Sequence, residues 1–85
     1  MKNFEYVIKD ELGIHARPAA VLVKEVKKFE SKVVLRCGDK ECEIVKLFAL
    51  MSLAIKKGDT VNVTIEGADE NVAYENIKRF FEENL

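Results

Sequence analysis

Eighty-five residues make one domain, spanning 1–85, near the lower limit of what a single hydrophobic core can stabilise. With 48% apolar and 34% charged residues, the chain is expected to be neither disordered nor membrane-inserted, since no apolar run approaches the ~20 residues a spanning helix requires. A net charge of −1 gives no reason to expect nucleic acid as a partner.

The first residues, Met1 to Tyr6, lack the apolar core of a secretion signal, so a cytoplasmic protein is expected. Asn3 to Lys9 alternates, with Phe4, Tyr6 and Ile8 on one face, and reads as a half-buried strand. Asp10 to Gly13 is a connection. From Ala16 to Phe29, the residues Ala19, Leu22, Val23, Val26 and Phe29 recur at helical spacing, with Lys24, Lys27 and Lys28 largely off that stripe. Pro18 suits the first turn, where its missing N–H costs nothing, and this puts His15 near the N-cap. Lys32 to Cys37 is a second strand, Gly38-Asp39 a turn, and Lys40 to Ile44 a returning third strand. Leu47, Phe48, Leu50, Met51 and Leu53 crowd a short helix. Thr60 to Glu66 alternates as a fourth strand, with Val61, Val63 and Ile65 inward. Asp69 caps a final helix whose predicted core stripe is Ala73, Ile77, Phe80 and Phe81. The order β-α-β-β-α-β-α predicts an α+β fold, an antiparallel sheet covered by helices on one face.

In a hairpin turned at Gly38-Asp39, Cys37 faces Lys40 and Cys42 faces Leu35. The two cysteines are then diagonal neighbours, poorly placed for a disulfide, and read as small core residues. With one histidine in the chain, no familiar zinc spacing is offered, and neither a metal nor a cofactor is expected.

The only histidine and the only proline lie in Gly13-Ile14-His15-Ala16-Arg17-Pro18-Ala19. A helix start leaves backbone N–H groups unsatisfied, those of Ala16 and Arg17 closest to His15, and they favour an anion by ~0.3–1 kcal/mol. Arg17 adds a planar, permanently charged fork suited to phosphate oxygens. No serine, cysteine or second histidine is at hand for a relay. The stretch therefore reads as an acceptor and donor of a phosphoryl group and not as a hydrolase centre.

These residues resemble the active-site signature of the HPr family, the histidine phosphocarriers of the bacterial phosphoenolpyruvate-dependent sugar phosphotransferase system. Met51-Ser52-Leu53 with Lys57-Gly58, and Glu66-Gly67-Ala68-Asp69-Glu70, resemble the family's second and third landmarks, so the likeness covers nearly the whole chain. It implies strand order 1-4-2-3 with three helices on one side. It also implies that His15 takes a phosphoryl group on Nδ1 from phospho-enzyme I and passes it to sugar-specific IIA domains, with Arg17 helping to hold the phosphate. Such a chain is a carrier and not an enzyme, and is expected to be a monomer. Leu47, Phe48 and Met51 are expected to be partly exposed as a partner-binding patch, with Ala20, Lys24, Lys27 and Lys46 around it. The resemblance leaves two alternatives, the carrier of the nitrogen-related branch and a regulatory binding module without phosphoryl transfer. Two positions depart from the family pattern. Lys46 stands where many members have a regulatory serine, which removes that site of serine phosphorylation, and Leu12 stands where a polar residue is common.

Overall fold

The computed structural model describes residues 1–85. The elements are β1 (Lys2–Val7), α1 (Ala16–Val26), β2 (Lys32–Cys37), β3 (Lys40–Glu43), α2 (Leu47–Ser52), β4 (Thr60–Glu66) and α3 (Glu70–Asn84). The four strands form one antiparallel sheet in the order β1-β4-β2-β3, the expected α+β architecture. None of its helices is long and apolar enough to cross a membrane.

Alternation in the strands sorts side chains between the two sheet faces. Val61, Val63 and Ile65 of β4, Val33 and Leu35 of β2, and Phe4 of β1 are buried beneath the helices. The helices contribute Ala19, Leu22, Val23 and Val26 from α1, Leu50 from α2, and Ala73, Ile77 and Phe81 from α3. Phe81 sits at the centre, edge-to-face with Phe4 at 5.5 Å and with Tyr6 at 5.7 Å between ring centroids. The opposite sheet face carries Asn3, Glu5, Arg36 and Glu41 and is open.

Two element boundaries fall short of the periodicity for local reasons. Helical spacing continues to Phe29, but α1 ends at Val26 because Lys28 N–H bonds Glu25 O and Phe29 N–H bonds Val26 O, i→i−3 closures that tighten the last turn. Phe29 still packs on the core. Alternation in β1 runs to Lys9, but the ladder with β4 stops at the Val7–Thr60 pair, and Ile8 then bonds the 58–59 turn. The hairpin register is Cys37 opposite Lys40 and Leu35 opposite Cys42, as the turn residues imply. Both cysteines are free and only half-buried, at the margin of the core, and burial pushes both thiols up from their ordinary range.

Asp69 corrects an expectation. It stands at the N-cap of α3 but makes no side-chain bond to that helix. Its carboxylate instead accepts Ser31 Oγ–H at 2.5 Å, Glu30 N–H at 2.8 Å and Ser31 N–H at 3.0 Å, closing the loop between α1 and β2. Glu70 does the helix-start work, accepting Gly67 N–H at 3.2 Å. The Ser31 hydroxyl first, with the Glu30 and Ser31 amides, holds the Asp69 carboxyl below the usual carboxylate range. The Met1 ammonium, then the Gly67 amide, do the same for Glu70. A carboxyl depressed in the folded state stabilises above its unfolded range and loses that contribution as pH falls through it. Melting temperature followed from neutral pH to ~2 is therefore expected to drop less steeply for Asp69→Asn than for the wild type.

Candidate functional site

The chain leaving β1 is pinned at successive residues before it reaches His15. Ile8 N–H bonds Asp59 O at 3.0 Å and Ile8 O accepts Gly58 N–H at 2.8 Å. The Lys9 and Asp10 amides donate to the Leu85 carbonyl at 2.6 and 2.9 Å. Asp10 then makes its own turn, with Oδ1 accepting Leu12 N–H at 2.9 Å and its carbonyl accepting Gly13 N–H at 2.9 Å. Gly13 has φ +66°, and a Cβ there would lie 2.2 Å from Ile55 O. That close approach lets Ile14 N–H bond Ile55 O at 3.1 Å and buries the Ile14 side chain.

His15 follows in extended conformation, φ −107° and ψ 177°, as the N-cap residue of α1. Its carbonyl accepts Ala19 N–H at 3.0 Å. Its imidazole makes no capping bond, so the Ala16 and Arg17 amides are left open at the helix start, and Pro18 has no N–H to offer. The His15 side chain is 34% exposed. It lines a shallow concavity of about 330 Å³ with Asp10, Arg17, Pro18, Val21, Phe80 and Asn84. Arg17 is exposed and enters no ion pair, so its guanidinium is available to a bound anion.

Two members of this concavity escape a reading of the sequence. Phe80 fits the helical stripe of α3 and is expected in the core, but it is only half-buried and forms one wall beside His15. The core position belongs to its neighbour Phe81. Asp10 reads as part of a connection, yet its Oδ2 lies 3.8 Å from His15 Nε2. An acidic residue five positions before a lone histidine carries no recognisable spacing, so only the fold brings them together.

Ala20 and Lys24 of α1 and Lys27 at its C-cap are exposed and, with Arg17, recur at i+3 and i+4 on one side of it. The neighbouring helix α2 packs against α1. On α2, Phe48 is 87% and Met51 37% exposed, whereas Leu47 is half-buried against the core. Lys46, exposed, precedes α2. An apolar pair thus stands clear of the core, beside a helix that carries unpaired cations.

A family model described as PTS HPr component phosphorylation site matches residues 2–83. Phosphocarrier protein HPr of Mycoplasma genitalium is 44% identical over 85 residues, covering 99% of this chain and 97% of that protein. The HPr of Mycoplasma pneumoniae is 40% identical over the same shares. Among solved structures, the histidine-containing phosphocarrier protein of a mycoplasma superposes with a TM-score of 0.93 at 33% identity, covering 96% of this chain and 93% of that one.

Proposed function

Because the chain belongs to the HPr family of phosphotransferase-system phosphocarriers, and is a phosphoryl carrier rather than a catalyst, we propose that His15 is the residue that carries the group. It takes the phosphoryl on Nδ1 from phospho-enzyme I in the cytoplasm and passes it to sugar-specific IIA domains. The observation that carries this reading is the placement of a one-third-exposed imidazole at a helix start whose amides it leaves unbonded.

The Nδ1 lone pair attacks phosphorus while the bond from phosphorus to the donor breaks, its electron pair returning to the donor. Onward transfer reverses these roles at the acceptor. Such a step needs in-line positioning and charge stabilisation more than covalent machinery. The Ala16 and Arg17 amides and the Arg17 fork supply the charge stabilisation for the phosphoryl oxygens. Exposure of the ring serves the carrier's need to meet donor and acceptor in turn, as a monomer. Incubation with phosphoenolpyruvate and enzyme I is expected to add one acid-labile phosphoryl group, and no gain with a competent donor would refute the carrier role of this site.

The exposed Phe48 and Met51, with Leu47 at their base, support a docking surface that several partners can share. Ala20, Lys24, Lys27 and Lys46 form its small and basic rim. Lys46→Glu is expected to slow transfer from phospho-enzyme I about 3- to 10-fold at low salt, with the gap closing as salt rises. Equal rates at low salt would remove Lys46 from the surface.

A further inference from the structure

We infer that Asp10 is a positioning residue for His15: its carboxylate holds the Nε2 edge of the ring, turning Nδ1 to the phosphoryl group and facing the positive charge that the phosphorylated ring carries. The inference rests on His15 being the phosphoryl site. Asp10 is held at every polar atom but one. Its amide is bonded to Leu85 O, its carbonyl to Gly13 N–H, and its Oδ1 to Leu12 N–H. Oδ2 is the oxygen left over, and it is the one that faces Nε2.

At 3.8 Å this contact is too long for a hydrogen bond in the free carrier, the state in which such contacts are commonly long before they tighten. The other charged side chain of the concavity, Arg17, forms no ion pair with Asp10, so Oδ2 has no competing cation. A phosphoryl group on Nδ1 leaves the proton on Nε2, so no proton has to move when the N–P bond forms. The ring becomes a cation at that moment, and its protonated edge is the one next to Asp10. When the group leaves, the electron pair returns to Nδ1 and the positive charge disappears. Asp10 therefore favours the phosphorylated carrier over the free one. Both side chains are about one-third exposed, which limits the effect to that of a partly screened pair.

Asp10→Asn separates charge from geometry, because its amide oxygen can still accept Leu12 N–H. The equilibrium of phosphoryl exchange with enzyme I is expected to shift about two- to fivefold toward phospho-enzyme I in Asp10→Asn at low salt, to return toward the wild-type value in Asp10→Glu, and to shrink at high salt. A shift independent of salt, or an Asn variant that matches the wild type, overturns the inference. A second reading needs no phosphoryl donor. The ¹⁵N spectrum of neutral His15, taken at about pH 8.5, above the ordinary imidazole range, is expected to place the proton on Nε2 in the wild type and to lose that preference in Asp10→Asn. An unchanged tautomer ratio overturns the positioning role. Should the wild type accept no phosphoryl group, the carrier reading of His15 fails, and the tautomer ratio alone decides the role of Asp10.

Discussion

Replacing His15 by alanine is expected to abolish the acid-labile phosphoryl gain completely and to leave the fold standing. The two halves of that expectation have separate causes. His15 is the only histidine in the chain, so no second imidazole can substitute for the lost nucleophile. The serine hydroxyls are those of Ser31 and Ser52, but Ser31 is buried and bonded to Asp69, and Ser52 donates to Ala49 O at 2.8 Å. A phosphate ester on either would be acid-stable, so acid treatment separates the two chemistries. The fold should survive because the imidazole makes no capping bond and stands 3.8 Å from its nearest charged partner. Removing such a partly exposed side chain shifts stability by about 0.5 kcal/mol or less, a few degrees in melting temperature for a domain of this size. Mass spectrometry before and after acid, with thermal unfolding of the same samples, checks both halves. An acid-labile gain that persists in His15→Ala would place the phosphoryl group elsewhere.

What is legible in the sequence depends on whether a feature is local. Alternation placed β2 and β4 to the residue, and the Gly38-Asp39 turn fixed the register that sets Leu35 against Cys42. The start of α1 was legible because Pro18 and the apolar stripe agree on it. Features set by long-range packing were not. Which of two adjacent phenylalanines faces the core depends on how α3 rolls on the sheet, and either Phe80 or Phe81 fits a helical stripe. Asp69 has the composition of a cap, but the loop at Glu30 and Ser31, thirty-eight positions away from Asp69 at Ser31, captures its carboxylate. Asp10 reaches His15 only because the Leu85 carbonyl and the Ile55 carbonyl hold the intervening turn from two other parts of the chain. The proposed nucleophile is thus legible from composition and position, whereas its surroundings require the fold.

The turn before His15 supplies a sharp stability contrast. Gly13 and Gly38 have nearly the same φ, +66° and +64°, so alanine at either pays a similar left-handed penalty of about 1–2 kcal/mol. Around Gly38 there is nothing within 4 Å of a new Cβ, and Gly38→Ala should cost no more than that penalty. At Gly13 the same atom would lie 2.2 Å from Ile55 O and 2.8 Å from Lys56 Cα, both of them backbone atoms with no side-chain rotation to relieve the clash. The loop must then back away from the 55–56 segment, stretching the Ile14 N–H to Ile55 O bond, worth about 0.5–1.5 kcal/mol, and loosening buried Ile14. Overpacking of this kind adds about 1–3 kcal/mol, so Gly13→Ala is expected to lose about 3–5 kcal/mol in all, on the order of 15–30 °C in melting temperature. Thermal unfolding of the two variants side by side isolates the close approach from the conformational cost they share. Since His15 stands two residues beyond Gly13, the folded fraction of Gly13→Ala should also accept phosphoryl groups more slowly than that of Gly38→Ala. Equal melting temperatures for the two variants would mean that the turn is not held against the 55–56 segment, and that the placement of His15 does not depend on it.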